Sequence, residues 1–270
     1  MSDSDSGTRL ETGYGPATPP GDNLCNDFVQ ETAASFAALA RARGDRVERL
    51  DGIVTMTDAA MPLPFWNRAV LEQPVGDVDA LLASVREFYD GAGHHPFLVD
   101  SAWPLPDLGE RGFVLMGHPP IMVRPAGASL PPAPPELRIL AVTDDATAHD
   151  LERTLVDGYP APALQPFTEV TMMTSSALTA SGWHHFVGYV DDRPVAAGSA
   201  YAGDQLLRVE NIAVLDGVRG RGYGVAITAA TIGVDLAKLA TLVSSDLGRP
   251  IYEKLGFRAV MRCTYWLGMR

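Results

Sequence analysis

The residues with the plainest chemistry lie in seven consecutive positions, Val218-Arg219-Gly220-Arg221-Gly222-Tyr223-Gly224. Three glycines in five positions offer little to pack and much bare backbone. Set before a helix, such a loop presents unpaired amide N–H groups and the positive end of the helix dipole, and glycine lets an anion reach those amides. The expected guest is a phosphate or pyrophosphate. A nucleoside triphosphate loop would need Lys-Ser or Lys-Thr after the glycines, and none follows. A dinucleotide fingerprint would need one more residue between the last two glycines and a parallel strand-helix-strand start. Two histidine pairs, His94-His95 and His184-His185, have no chelating spacing, since neighbours on a strand point to opposite faces. They read best as surface residues at strand ends. No metal is expected.

The elements around the loop are legible from pattern. Residues 137–144 read as a strand, and 145–159 as a helix opened by Asp145. Residues 167–182 read as a second helix ending at Gly182. Three strand-like runs follow, joined at Asp191-Asp192 and Gly203-Asp204, and form a meander whose last member is Gln205–Asp216. The loop comes next, then a helix over 223–240, a short strand at 241–246, a helix over 249–257 closing at Gly256, and one final strand over 258–269. In the first half a helix over 23–44 opened by Asp22 is followed by strands within 46–60 and 65–75. A helix over 77–93, a strand at 96–103, a short helix over 105–113 and strands over 114–125 complete it. Residues 125–135 hold five prolines and read as a stiff spacer. The domain expectation is a disordered tail over 1–21, an N-terminal domain over 22–124, a linker over 125–136 and a second domain over 137–270.

The loop and its context carry a resemblance. Arg219-x-x-Gly222-x-Gly224 resembles the R/Q-x-x-G-x-G/A signature of the GNAT superfamily of N-acetyltransferases, and "IYEKLGF" at 251–257 is similar to that family's later helix. The resemblance covers 137–270. It implies an α/β fold with a mixed, mostly antiparallel central sheet flanked by helices. It also implies acetyl-coenzyme A as cosubstrate. The first half, in which "LGERGF" parallels "YEKLGF", is expected to be a degenerate copy of the same fold in tandem, packing on the second half and walling the acceptor pocket.

Acetyl transfer to an amine requires a route for the amine proton, a polarised carbonyl and a proton for the leaving thiolate. The resemblance places Tyr252 as the acid at sulfur. Glu210 is the candidate base, with Arg208 and Ile212 on its face of the strand by alternation unless a bulge intervenes. Backbone at Ile212, Ala213 and Val214 would pair with the pantetheine arm. Residues Arg219, Gly220, Arg221, Gly222, Tyr223, Gly224 and Val225 would hold the pyrophosphate. Ser245 stands where the family often has a cofactor-contacting asparagine. The expected acceptor is a primary amine of a small molecule or a peptide N-terminus, and a homodimer is left open. Another acyl-coenzyme A, a hydroxyl acceptor or a silent acyl-coenzyme A sensor are the alternatives.

Composition bounds these readings. The chain has 270 residues, 46 % of them apolar and 20 % charged, enough for a sizeable core. Its net charge of −12 disfavours nucleic acid. The two cysteines, Cys25 and Cys263, make no CxxC pair, which fits a reducing cytoplasm. No apolar run of membrane-spanning length occurs, and the acidic Ser/Gly/Pro-rich start is unlike a signal peptide, so no membrane partner is expected.

Overall fold

Two antiparallel-rich sheets organise the chain, one built mainly from each half. The structure is a computed structural model that describes residues 24–58, 64–92, 96–159 and 165–268. The expected tail, the Asp22 cap and the His94-His95 pair lie outside these residues. The first half runs α1 (Leu24–Arg43), β1 (Val47–Leu50), β2 (Ile53–Met56), β3 (Arg68–Leu71), α2 (Val78–Ala92), β4 (Phe97–Ser101), β5 (Phe113–Gly117) and β6 (Pro120–Arg124). The second runs β7 (Arg138–Ala141), α3 (Asp145–Gly158), α4 (Ser175–Leu178), β8 (Trp183–Val190), β9 (Arg193–Ala202), β10 (Leu206–Val214) and α5 (Tyr223–Ile232), then β11 (Leu239–Val243), α6 (Arg249–Lys254), β12 (Arg258–Arg262) and β13 (Thr264–Gly268).

The sheets exchange their last strands. Their orders are β1-β2-β3-β4-β13-β5 and β12-β6-β11-β10-β9-β8-β7. The single strand expected over 258–269 is two strands broken at Cys263, whose amide donates to the Pro119 carbonyl at 3.2 Å. β12 stays with the C-terminal sheet, and β13 crosses to pair with β4 and β5. In return β6 inserts between β11 and β12. Ile121 and Met122 on β6 are fully buried there, worth about 2 kcal/mol each in apolar transfer. The boundaries 22–124 and 137–270 therefore divide the chain but not its sheets.

With that exchange, and apart from β7, which pairs with β8 in the C-terminal sheet alone, the sheets share one topology. Each has a three-stranded antiparallel meander, a helix, and a strand parallel to the third, β3 with β4 and β10 with β11. Each then completes its sheet with two more strands, one of them supplied by the other half. The short helix expected over 105–113 is only a three-residue 3₁₀ turn at Gly109–Arg111.

A further expectation is corrected. The helix over 167–182 reduces to the four residues of α4. The buried Glu152 carboxylate accepts hydrogen bonds from the amides of Thr171, Met172 and Met173 at 2.8–2.9 Å, so those donors are taken by a side chain and not by a helical ladder. The 125–136 segment, expected as a stiff spacer, is a strap held against the protein by side-chain contacts. Buried Arg124 donates to the carbonyls of Ala128 and Ser129 at 2.8 and 3.0 Å and to that of Leu255 at 2.8 Å. Leu130 packs on the C-terminal core, and the Tyr223 hydroxyl meets Glu136 at 3.1 Å.

Candidate active site

The glycine loop sits where the sequence places it, between β10 and α5. Gly220 and Gly222 adopt φ of +81° and +87°, conformations in which a Cβ is strained. Gly222 is the N-cap of α5, so the first intrahelical bond is from the Ala226 amide to the Gly222 carbonyl at 3.0 Å. The amides of Tyr223, Gly224 and Val225 precede it and head the helix. A Cβ at Gly220 would meet nothing within 4 Å, so the backbone there is open to approach. At Gly224 a Cβ would meet Ile251 at 3.0 Å, which explains the third glycine as close packing of α5 on α6.

The two arginines differ. Arg219 is engaged with its own protein: its guanidinium donates to the carbonyls of Val214 at 3.2 Å and Gly158 at 3.0 Å and pairs with Asp216 at 2.6 Å. It ties the loop to the ends of β10 and α3. Arg221 is exposed. The Tyr223 ring is buried in the core beneath α5 and the Val225 side chain packs on the C-terminal core, so what these two residues present at the helix start is backbone amide. The Ser245 hydroxyl accepts from the Gly248 amide at 3.1 Å and shapes the turn into α6.

β10 and β11 pair only from Leu206 to Arg208 and from Leu239 to Thr241. Beyond Arg208 the β11 side of β10 has no strand partner among the described residues. The cause is a bulge. Glu210 opposes Ser199 and Ala213 opposes Ala197, so Asn211 and Ile212 share one partner position, with Asn211 at φ +57°. The bulge reverses side-chain parity. Ile212 turns to the α5 face, packing with Ile227, whereas Arg208 and Glu210 face α1. The alternation that put Ile212 beside Glu210 is corrected by that extra residue.

Tyr252, on α6, packs edge-on against Phe257 with ring centres 6.0 Å apart. Burial, and secondarily the charge of Glu210, push its phenol pKa well above the ordinary range. Tyr159, at the C-terminal end of α3, is 40 % exposed, and its phenol is raised in the same direction by desolvation, then by Tyr252 and Glu210. Tyr159 was not legible in the sequence, because nothing marks a helix-terminal tyrosine as lying near a residue 93 positions further along.

The Glu210 carboxylate is 18 % exposed and pairs with Arg208, which is 1 % exposed. Arg208 also donates to Thr32 Oγ1 on α1 at 2.5 Å, and its guanidinium lies 4.8 Å from the Phe28 ring centre. A second buried pair, Arg68 with Asp100 at 3.0 Å, faces Glu210 electrostatically, as does Tyr265. Of the histidines, His184 is exposed as expected. His185 is not a surface residue: it is buried on the Glu210 face, with Nδ1 2.8 Å from Ser199 Oγ and its ring stacked on Trp183. Ser199 is the cross-strand partner of both His185 and Glu210.

The chain superposes on a GCN5-related N-acetyltransferase from Kribbella flavida with a TM-score of 0.67 at 18 % identity, covering 92 % of this chain and 96 % of that one. A GNAT-family acetyltransferase from Novosphingobium aromaticivorans gives 0.54 at 16 % identity, over 85 % and 93 % of the two chains. A tandem GNAT protein from the clavulanic acid biosynthesis pathway gives 0.53 at 13 % identity, over 88 % and 95 %. The chain has a tandem GCN5-related N-acetyltransferase fold.

No protein-family profile matches the sequence, and no curated protein matches it. In this GNAT fold the β10–β11 separation, the loop and Tyr252 belong to the C-terminal copy. A groove of about 430 Å³ lined by Arg153, Thr154, Asp157, Arg193, Pro194 and Leu215 includes none of the loop residues, Glu210 or Tyr252. Among the described residues, no three His, Cys, Asp or Glu side chains gather as a metal site requires, and no helix is long and apolar enough to cross a membrane.

Proposed function

We propose that the protein is an acetyl-coenzyme A-dependent N-acetyltransferase, acting in the cytoplasm on a primary amine of a small molecule or a peptide N-terminus by direct attack on the thioester. The observation that carries this reading is the exposed backbone at Gly220 and Gly222, where a Cβ would meet nothing within 4 Å at Gly220 and only Pro134 at 3.5 Å at Gly222, set at the head of α5 beside the strand edge that the bulge frees. A pyrophosphate suits bare amides at a helix start. The edge of β10 from Ile212 to Val214, which has no strand partner on the β11 side and where only the Val214 carbonyl is already held by Arg219, suits an amide-bearing arm that adds as a strand would. Bound acetyl-coenzyme A supplies the activated acyl group, and the chain's own residues do the rest.

In this reading Glu210 takes the amine proton, directly or through water. Tyr252 gives a proton to the departing sulfur. A tyrosine phenol is protonated at neutral pH, the form that donates, and burial extends that state to higher pH. Arg219 holds the loop in shape, and Tyr159 borders the reacting centre.

The test is release of coenzyme A thiol from acetyl-coenzyme A across a panel of polyamines, aminoglycosides, aromatic ethylamines, amino acids and short peptides, with mass spectrometry of the products. Amine-dependent thiol release with an amide product supports the reading. An ester product would make the acceptor a hydroxyl. Tight acetyl-coenzyme A binding with no turnover across the panel would make the protein a sensor and end the enzyme reading.

A further inference from the structure

Thr32 and Arg208 are 176 positions apart and belong to different halves, yet they meet at 2.5 Å in the interior. The contact is one link of a chain. Thr32 Oγ1 also donates to the Phe28 carbonyl one turn earlier at 2.6 Å, so its hydroxyl is fixed on α1. Arg208 Nη1 donates to that oxygen, and Nη2 of the same planar group donates to Glu210 Oε1. The Phe28 ring flanks the guanidinium, leaving the arginine almost no freedom. A rigid fork with one prong anchored sets the direction of the other.

This arrangement does more than join two halves. An interface bond has no need to end on a carboxylate beside a bulge and a phenol, and Glu210 is the only member of the chain that keeps appreciable exposure. We propose that Thr32 and Arg208 are positioning residues: α1 of the N-terminal half fixes Arg208, and Arg208 holds the Glu210 carboxylate in its working orientation. The N-terminal half, lacking a glycine loop of its own, is then part of the catalytic apparatus of the other half. This inference rests on the reading of Glu210 as the base.

The experiment is a double-mutant cycle between Thr32→Val and Glu210→Gln, measured as kcat and KM for acetyl-coenzyme A with the most active amine of the panel, with melting temperature followed in parallel. Thr32→Val is close to isosteric and removes only the hydroxyl. The expected result is a loss of about tenfold in kcat, KM for acetyl-coenzyme A within about twofold, and recovery in Thr32→Ser. In the Glu210→Gln background, Thr32→Val costs nothing further in kcat, because its effect passes through Glu210. A lower melting temperature alone does not produce that non-additivity. Should Thr32→Val fold poorly, Arg208→Lys, which keeps the charge but cannot bridge both partners, gives the same cycle. If Glu210→Gln slows the enzyme but the Thr32 and Arg208 variants do not, or if the effects are additive, the positioning role is overturned and the base stands. If Glu210→Gln changes nothing, or no amine supports turnover, both fall.

Discussion

Asp77 and Gly222 occupy equivalent places in the two halves: each immediately precedes the helix that follows the third strand of its meander. Asp77 accepts a hydrogen bond from the Ala80 amide at 3.0 Å, so one amide at the head of α2 is taken by its own carboxylate, while Asp79 beside it pairs with Arg111 at 2.6 Å. Gly222 has no side chain to give, and the head of α5 carries no side-chain cap. A capped helix start offers an anion less than a bare one does. One acetyl-coenzyme A should therefore bind per chain. Titration calorimetry should give a stoichiometry of one, and Gly222→Val should lower affinity at least about tenfold, since a β-branched side chain is strained at that φ and would distort the loop. Two equivalents bound, or full affinity in the variant, would show that the loop is not the site.

Tyr252→Phe keeps the ring that packs on Phe257 and removes only the hydroxyl. Its kcat should fall about tenfold or more, with acetyl-coenzyme A affinity within about twofold. Because burial raises the phenol pKa, the protonated donor persists as pH rises, so Tyr252 should impose no loss of rate below about pH 10. A basic limb near neutrality that vanished in Tyr252→Phe would contradict this role.

Burial, and then the neighbouring His184, push the His185 pKa down to about 4. The unfolded chain thus binds a proton between pH 6.5 and 4 that the folded chain does not, and stability falls as pH drops through that window. Between pH 7 and pH 5 this group should cost about 2 kcal/mol. Urea unfolding at both values should show that loss in the wild type and a difference smaller by that amount in His185→Leu. An equal slope in both would mean that His185 is protonated in the folded state.

Residues 137–270 produced alone should not fold cooperatively. They lack β6, the strand between β11 and β12, and carry β13 without the strands it pairs with. An open interior edge leaves a row of backbone groups unpaired. Near-ultraviolet circular dichroism and urea titration decide this, and a sharp two-state transition in the fragment would show that the strand exchange is dispensable.

Much of the C-terminal fold around the candidate site was legible because its signals are local. The glycine loop, the Tyr252 segment and the Asp191-Asp192 turn, where both residues take positive φ, are each set by chemistry within a few residues. The order of elements followed from such punctuation, and from it the fold. What the sequence could not reveal depended on partners far along the chain. The swap of β6 and β13 is decided by which sheet edge each strand can fill. The burial of His185 depends on α1, whose Ser35 carbonyl accepts from Trp183 Nε1 at 2.9 Å across 148 positions. The loss of the 167–182 helix depends on Glu152 reaching three amides. Local pattern names the elements and the cradle. Only the packed chain decides which buried charges meet, because the free energy of pairing them exists only once water has been driven from between the halves.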